Sequence, residues 1–219
     1  MSVSDSKFRR LLSSPGKAIA DEIKEFLSVQ PFEADFIKWC EENVDFSGDV
    51  SSASNKFSLD GREYQREPLE QIGRLDGRRK ITVCFPEQMG KTNLFILGLL
   101  YRAVFLKGEF LIVYPGLDLA KDTNETKVLP LMKCIPQLEE DLSRPYSQRA
   151  NRYVLGNSVI YFQGSGSKIV SRSCNYVVGD EVDVWDPSLP ENVKDLQKRT
   201  RSWSDATEVF VCTPSVENR

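Results

Sequence analysis

The stretch ITVCFPEQMGKT, residues 81–92, decides the fold of this chain. It begins with a short apolar strand at residues 81–85, passes through a polar loop, and opens a helical pattern that continues through Leu100. Short strands and helical patterns also alternate after it. Because the strands are apolar on both faces, we expect helices to cover both sides of the sheet, as they do in mainly parallel sheets.

The segments after residue 105 continue this alternation. Three more apolar strands are EFLIVYP (109–115), NYVVGDE (175–181) and EVFVCTP (208–214), and helical patterns lie near 117–133 and 190–200. The stretch RYVL-GN-SVIYF (152–162) predicts a hairpin, because Gly156-Asn157 suits a two-residue turn. The predicted fold class is therefore α/β, a mainly parallel sheet with flanking helices and one antiparallel hairpin insertion.

The N-terminal quarter of the chain has a different pattern. Residues 1–45 predict polar helices that form an N-terminal helical arm. The segment from Asp45 to Lys56 is rich in Ser, Gly and Asp and shows no periodicity, which predicts a linker at residues 46–56. The main domain would then comprise residues 57–219.

Composition excludes several classes of protein. The 219 residues suit one large domain with an appended arm. The net charge of −3 argues against a uniformly basic surface, so any contact with nucleic acid would be made by a local basic patch of the protein. The chain has no histidine, which excludes Ser-His-Asp and Cys-His triads and histidine-ligated zinc. Its five cysteines form no CxxC pair, which excludes a zinc ribbon. No apolar run matches a leader or a membrane span, so we expect a soluble, intracellular protein.

The loop between the first strand and its helix predicts phosphate binding. In this phosphate loop, backbone N–H groups at the start of a helix would surround phosphate oxygens, Lys91 would reach the β- and γ-phosphates, and Thr92 would bind Mg²⁺. The full pattern asks for glycine where Phe85 stands, so the motif is degenerate. A strand-to-helix turn with an exposed lysine is the alternative. The loop residues are Pro86, Glu87, Gln88, Met89, Gly90, Lys91 and Thr92.

A second motif follows the strand at residues 175–179. This apolar strand ends in adjacent carboxylates, the form of a Walker B segment, in which Asp180 would hold Mg²⁺ and Glu181 would deprotonate the attacking water. The carboxyl ends of parallel strands share one edge, so both motifs should meet there. A solvated acidic turn is the alternative, since Asp183 and Asp186 follow.

Together these motifs resemble the ATPase domain of the large terminase subunit of tailed bacteriophages, most closely the GpA-type, lambda-like branch. The resemblance implies an ASCE-type P-loop NTPase with ATP and Mg²⁺ as cofactors. The matching stretches are EYQR (63–66), EQMGKT (87–92), VYP (113–115), LDLA (117–120), GS (164–165), SRS (171–173), VGDEVD (178–183), KRT (198–200) and VCTPS (211–215).

The resemblance also implies roles for residues outside the two loops. Tyr64 and Gln65 would bind adenine, although Tyr64 also suits simple core packing. Thr213 and Ser215 would couple γ-phosphate loss to subdomain motion. Arg172 is our preferred residue to neutralise the γ-phosphate, in cis or toward a neighbouring subunit, ahead of Arg199 and Arg201 on the next helix.

The function implied by this resemblance is a motor that hydrolyses ATP to move double-stranded DNA into a procapsid. Its partners would be DNA, the portal protein, the small terminase subunit and further copies in a homo-oligomeric ring, with no membrane. It would work in the host cytoplasm, docked transiently on the procapsid. Because the chain stops soon after Ser215, we expect no nuclease domain and no nuclease activity.

Two other functions stay open at this stage. A helicase-like or AAA-like ATPase would use the same nucleotide-binding architecture. A non-hydrolysing nucleotide-binding module that docks on a partner would tolerate loss of Glu181, whereas a motor would not.

Overall fold

A computed structural model of the chain describes residues 35–46, 56–106, 108–149, 151–166, 168–169, 172–189 and 191–214. The described part belongs to one compact unit that begins at Asp35. Most of the predicted helical arm, most of the predicted linker and the predicted coupling residue Ser215 lie outside the described residues. Within them, no helix is both long and apolar enough to cross a membrane.

Seven strands of the described residues form one sheet, in the order β1-β7-β6-β2-β5-β4-β3. Along this sheet order, each pair of neighbours in β1-β7-β6-β2-β5 runs parallel. Strand β4 runs antiparallel to both of its neighbours, β5 and β3. This arrangement confirms the predicted α/β class with an antiparallel hairpin. The strands are β1 (Arg79–Cys84), β2 (Gly108–Tyr114), β3 (Gln148–Arg149), β4 (Arg152–Leu155), β5 (Ser158–Gly164), β6 (Tyr176–Gly179) and β7 (Thr207–Cys212).

Helices connect the strands where the apolar patterns predict them. Gly156 closes the β4–β5 hairpin with φ of 56°, a left-handed conformation that glycine adopts readily. A π-helical turn at Asn124–Val128 joins α4 to α5 without a break. The helices are α1 (Phe36–Asn43), α2 (Arg66–Gly73), α3 (Lys91–Phe105), α4 (Leu117–Thr123), α5 (Leu129–Cys134), α6 (Pro136–Leu142) and α7 (Glu191–Lys198).

Both faces of the sheet are buried at the central strands β2, β6 and β7, which is why these strands lack a polar face. The edge strand β1, in contrast, exposes Lys80, Thr82 and Cys84 on one face, so the expectation of an apolar strand there holds for one face only. On one face, Leu111, Val177 and Phe210 pack with Trp185 and with Leu196 of α7. Alternate residues of the same strands point the other way, toward α3. Burying an aliphatic or aromatic side chain contributes about 1.5–3 kcal/mol, so these two layers supply most of the stability of the fold.

Helix α3 lies close to the sheet because it carries a glycine in its buried face. A Cβ at Gly98 would overlap Ile72 Cγ2 of α2 and come within 2.9 Å of the Tyr176 hydroxyl. That hydroxyl donates a hydrogen bond to the Phe95 carbonyl at 3.0 Å. The glycine therefore lets α2, α3 and β6 meet at one point.

A buried arginine joins the same three regions, and the sequence patterns did not predict it. The Arg102 guanidinium donates hydrogen bonds to the carbonyls of Ile72 (2.5 Å) and Arg74 (2.9 Å) and to Thr207 Oγ1 (2.9 Å). Its carbon lies 4.6 Å from the centre of the Tyr176 ring. Burial lowers the pKa of Arg102 to about 10, so the group stays charged at neutral pH. The cation thus caps the carbonyl end of α2.

Helix α1 packs against the main domain. Asp35 caps its N-terminus by accepting hydrogen bonds from the amides of Ile37 (3.0 Å) and Lys38 (3.2 Å). The Trp39 ring makes an edge contact with Tyr101 of α3 at 5.1 Å between ring centres. The sequence did not predict this contact. The division of the chain at residues 46–56 stays a prediction.

Candidate functional site

The predicted motifs meet at one edge of the sheet. Strands β1, β7 and β6 are parallel neighbours, so their carboxyl ends lie side by side. The phosphate loop follows β1, Asp180 and Glu181 follow β6, and Thr213 follows β7. The strand order therefore places the end of β7 between the phosphate loop and the two carboxylates.

The phosphate loop turns into α3 through left-handed backbone conformations. Gln88 has φ of 59° and Gly90 has φ of 75°. The positive φ of Gly90 favours glycine, and a Cβ at this position would lie 2.8 Å from Gln65 Nε2, so the amide end of that side chain would have to shift. The first amides of a helix have no carbonyl partner within it, so the start of α3 at Lys91 is suited to bind an anion.

Lys91 is fixed inside the loop by polar contacts. Its ammonium donates hydrogen bonds to the carbonyls of Phe85 (2.7 Å) and Pro86 (3.2 Å) and to the hydroxyl of Thr213. Lys91 is only 9% exposed. The alternative interpretation, a turn with an exposed lysine, is therefore wrong. These contacts hold the ammonium between the phosphate loop and the end of β7.

Asp180 lies buried below the site, at the end of β6. Its amide donates to the Val113 carbonyl at 2.9 Å, and its carbonyl accepts from Trp185 Nε1 at 2.8 Å. Burial, and then the charge of Glu181, raises the pKa of Asp180 to about 7. A solvated acidic turn is thus the wrong interpretation for Asp180, which is 5% exposed.

Glu181 follows in a left-handed conformation, with φ of 47° and ψ of 49°. This is an uncommon backbone conformation for a residue with a side chain, and such residues often lie at functional sites. It directs the Glu181 side chain into the cleft, while Asp180 stays beneath it. The two adjacent carboxylates therefore have different surroundings, one exposed to the cleft and one buried.

A cleft of about 780 Å³ lies at this edge and collects most of the predicted site residues. Such a volume is typical of a pocket for a nucleotide-sized ligand. Predicted residues that line it are Tyr64, Gln65, Glu87, Gln88, Met89, Gly90, Lys91, Thr92, Glu181 and Thr213. The sequence did not predict Phe46, Phe57, Arg62, Asn93, Leu97 and Lys127, which line it as well.

One end of the cleft is built by the segment before α2. Gln65 Nε2 donates to the Met89 carbonyl at 2.8 Å, and the Tyr64 hydroxyl donates to the same carbonyl at 3.4 Å. The Tyr64 ring meets Phe85 edge-on at 5.6 Å and remains 40% exposed. Tyr64 is therefore not merely a core residue, since part of its ring faces the cleft.

Phe46 and Phe57 continue this end of the cleft. A single β-bridge between Asp45 and Lys56 brings the two rings together, with centres 6.5 Å apart. Phe46 is the first residue of the predicted linker and Phe57 directly follows it, positions in which no local pattern indicates a site. Only the tertiary pairing places them there.

The predicted magnesium ligands, Thr92 and Asp180, lie at this same edge. Their hydroxyl and carboxylate oxygens are the donors that Mg²⁺ prefers, and this ion commonly binds through one or two protein oxygens, water and substrate phosphates. The described residues contain no cluster of three or more acidic, cysteine or histidine side chains that would form an all-protein metal cage. The donor set therefore fits Mg²⁺ carried with a nucleotide.

The three candidate arginines are not among the residues that line the cleft. The Arg172 guanidinium lies over the Tyr161 ring, 3.9 Å from its centre. Arg199 Nε donates to the Asp195 carbonyl at 3.0 Å, and Arg201 is exposed on the turn after α7. None of them faces the cleft of its own chain.

Asp183 adds a contact that the motifs did not predict. Its carboxylate accepts a hydrogen bond from the Thr213 amide at 3.3 Å. Thr213 thus bonds to Lys91 through its hydroxyl and to Asp183 through its amide. The sequence suggested only solvation for Asp183, because its partner Thr213 lies 30 residues away, just after β7.

Comparison with solved structures finds phage terminases similar to this chain. The large terminase of bacteriophage HK97 matches with a TM-score of 0.62 and 12% identity, over 81% of this chain and 36% of that chain. A large terminase from a thermophilic bacteriophage matches with a TM-score of 0.48 and 18% identity, over 68% of this chain and 38% of that one. The ATPase domain of the Thermus phage P74-26 large terminase matches with a TM-score of 0.47 and 15% identity, over 68% of this chain and 65% of that one.

At these levels of identity the similarity shows the fold alone, and the HK97 protein has the highest TM-score of the three. The chain spans about a third of the length of that terminase. Among curated protein sequences, none matches this chain. The family model for the ATPase domain of the phage terminase large subunit gpA matches residues 51–219, which contain the phosphate loop, the acidic pair and the end of β7. The chain belongs to this family of terminase ATPase domains.

Proposed function

We propose that this chain is the ATP-hydrolysing motor domain of a viral DNA-packaging terminase. One observation carries the proposal: Lys91 and Glu181 line the same cleft, and Thr213 at the end of β7 bonds directly to Lys91. A nucleotide-driven motor needs a lysine that binds phosphate, a carboxylate base, and a strand end that moves when the phosphate is lost.

Nucleotide binding follows from the two ends of the cleft. Tyr64 would stack on the adenine and Gln65 would fix its edge, with Phe46 and Phe57 as the apolar wall behind them. At the other end, the first amides of α3 and the Lys91 ammonium would bind the phosphates. Lys91 would exchange its hydrogen bonds to the Phe85 and Pro86 carbonyls for charged phosphate oxygens, which form stronger hydrogen bonds.

Thr92 and Asp180 would hold the magnesium ion. When bound, this ion neutralises charge on the β- and γ-phosphates. Asp180 must be deprotonated to bind a cation, so its raised pKa of about 7 ties metal binding to pH.

Glu181 would accept the proton of the attacking water. Its side chain faces the cleft, whereas Asp180 is buried beneath it, which separates the base from the metal ligand. A positioned general base contributes about 10²–10⁴-fold to a rate. The developing phosphate charge needs a cation as well, and Arg172 would supply one to the cleft of a neighbouring subunit rather than to its own.

The coupling of γ-phosphate loss to subdomain motion would begin at Thr213. Its hydroxyl holds Lys91 and its amide binds Asp183, so loss of the γ-phosphate would change the hydrogen bonds at the end of β7. Ser215 would extend this connection beyond the described residues. Movement of a strand end is the kind of change that reaches a second domain.

At the level of the whole motor, we propose that copies of this domain form a homo-oligomeric ring on double-stranded DNA. The ring would dock on the portal protein of the procapsid in the host cytoplasm and receive DNA through the small terminase subunit. Family membership supports this role. The isolated chain would not cut DNA, which incubation of a supercoiled plasmid with the chain in Mg²⁺ and in Mn²⁺ would test.

The decisive experiment is hydrolysis of Mg·ATP by the full chain, with and without double-stranded DNA. Glu181→Gln should keep nucleotide affinity and lose turnover by roughly 10²–10⁴-fold, and Lys91→Ala should lose affinity. Asp186→Asn is the matched control, because this exposed side chain lies five residues after Glu181 and outside the cleft. Unchanged turnover in Glu181→Gln would refute the assigned base.

The same experiment separates the two alternatives. A chain that binds ATP but does not hydrolyse it, even with DNA and portal-bearing procapsids present, is a nucleotide-binding module. A helicase-like or AAA-like ATPase would be stimulated by DNA without any response to procapsids.

A further inference from the structure

The helix that follows β2 brings a lysine to the cleft. Lys127 lines the same cavity as Lys91, Thr92 and Glu181. It belongs to the segment after β2, whereas the phosphate loop follows β1, and β7 and β6 lie between these two strands in the sheet. Lys127 therefore approaches the cleft from a different part of the fold than Lys91.

The local backbone explains how Lys127 reaches this position. It lies in the π-helical turn Asn124–Val128, in which the Leu129 amide donates to the Asn124 carbonyl five residues earlier. A π turn adds one residue to the helical repeat and so rotates the side chains within it relative to those of a regular helix. Asn124 and Val128 are buried, whereas Lys127 is half-buried and faces the cavity.

The charges around the cleft favour an anion near Lys127. Among the described residues, no side chain forms an ion pair with it. Lys91, by contrast, is held by two carbonyls and a hydroxyl. The Lys127 charge also reaches Asp180, where it helps to lower a pKa that burial raises. Lys127 thus lies within electrostatic range of the predicted metal ligand.

We propose that Lys127 is a second phosphate-binding residue, which donates a hydrogen bond to the γ-phosphate of a nucleotide bound in its own chain. This inference rests on the proposed function and adds a contact specific to the triphosphate. Lys91 and the amides of α3 would bind both di- and triphosphate, whereas Lys127 would bind only the terminal group. It would neutralise charge that develops on the γ-phosphate during hydrolysis.

The position of Arg172 supports this assignment. That guanidinium lies over the Tyr161 ring and outside the cleft of its own chain. A γ-phosphate held by the phosphate loop alone would have no cation on the side of α4 and α5. Lys127 is the described cation on the cleft wall that comes from those helices.

The test compares affinities for di- and triphosphate. Calorimetric titrations of the full chain with Mg·ADP and with a β,γ-imido ATP analogue would be made for wild type, Lys127→Ala and Lys127→Arg. Lys133→Ala is the matched control, because Lys133 lies on the same continuous helix, is exposed, and does not line the cleft. Circular dichroism confirms the fold of each variant.

We expect Lys127→Ala to weaken the triphosphate analogue by about 10- to 100-fold, the usual loss for a hydrogen bond to a charged group, and to leave ADP affinity unchanged. ATP turnover should fall over the same range, Lys127→Arg should restore most of both losses, and Lys133→Ala should match wild type. Equal losses for ADP and the analogue, or no loss for either, would overturn the proposed role of Lys127 and leave the proposed function of the chain intact. A wild-type chain that binds neither nucleotide would overturn the proposed function and this inference together.

Discussion

The ammonium of Lys91 donates a hydrogen bond to the hydroxyl of Thr213, which joins the phosphate loop directly to the end of β7. The two residues lie at opposite ends of the ATPase sequence, and the parallel pairing of β1 with β7 brings them together. The other two hydrogen bonds of the Lys91 ammonium go to carbonyls of its own loop, so Thr213 is the partner through which we propose that a change at the lysine reaches another strand.

The Lys91–Thr213 contact predicts a specific kinetic defect. Thr213→Val keeps the shape of the side chain and removes the hydroxyl, so kcat for ATP should fall by about 10-fold while the affinity for ADP stays close to wild type. Thr213→Ser keeps the hydroxyl and should retain activity. Steady-state kinetics and ADP titration check both variants. An equal loss of activity in Thr213→Ser would show that the methyl group, and not the hydroxyl, matters.

The raised pKa of Asp180 predicts how stability depends on pH. Between the ordinary aspartate pKa of 3.8 and about 7, the folded chain holds a proton on Asp180 that the unfolded chain has lost. The contribution of Asp180 to the free energy of unfolding therefore falls as the pH rises through this range.

Thermal unfolding in EDTA from pH 4 to 8 tests this dependence. Asp180→Asn mimics the protonated form, so its Tm should exceed that of wild type increasingly as the pH rises, and the two should converge near pH 4. A Tm difference that stays constant over the range would mean that Asp180 keeps an ordinary pKa.

The packing of α1 predicts the effect of N-terminal truncation. Residues 35–219 keep the ring contacts of Phe36 and Trp39 with Tyr101, whereas residues 46–219 lose them and expose that surface of α3. Loss of a buried aromatic side chain typically costs about 3–5 kcal/mol. Urea unfolding should therefore show a clearly less stable protein for 46–219. Equal stability of the two fragments would mean that α1 is dispensable and would favour the boundary at 46–56.

The register of β1 and β7 predicts a covalent cross-link. Cys84 and Cys212 are directly opposite each other in the parallel pair. Neighbouring strands lie about 4.8 Å apart, within the usual Cα separation of a disulfide. A mild diazene oxidant should therefore form an intrachain Cys84–Cys212 disulfide that a thiol reductant reverses.

Partial burial, followed by contact with Cys84, raises the pKa of Cys212, so the reaction should be faster at alkaline pH. Mass spectrometry of proteolytic peptides would identify the link, and Cys84→Ser is the control. Disulfides that join other cysteines in preference to this pair would contradict the register.

The sequence predicted those parts of the site that depend on neighbouring residues in the chain. A strand, a loop and a helix in succession identified the phosphate loop, and two acids after an apolar strand identified Asp180 and Glu181. Their convergence followed from the rule for parallel strands. Phe46 and Phe57 could not be predicted, because a single β-bridge between distant residues places them in the cleft.

Lys127 and Arg102 escaped prediction for two other reasons. The position of Lys127 depends on a π turn, which breaks the 3.6-residue period on which helical patterns rely. Arg102 occurs within an apolar helical pattern, and its partners are carbonyls of α2 and a hydroxyl of β7, which no spacing in the sequence connects. For Arg172, its position upstream of the Walker B strand predicts a cation for the γ-phosphate, in cis or toward a neighbouring subunit, and its stacking on Tyr161 places it outside the cleft of its own chain.

Because the buried guanidinium of Arg102 bonds to both α2 and β7, we expect these two segments to unfold together. The guanidinium holds the C-terminal end of α2. This helix begins directly after Gln65, which lies at the end of the cleft proposed for the adenine. Local unfolding of α2 would leave the buried Arg102 cation without its carbonyl partners, which is costly. This short helix should therefore exchange its amide hydrogens about as slowly as β7 does. The end of the cleft that carries Tyr64 and Gln65 would then share the protection of the innermost strands. Adenine recognition would thus depend on a part of the fold that opens only when the centre of the sheet opens.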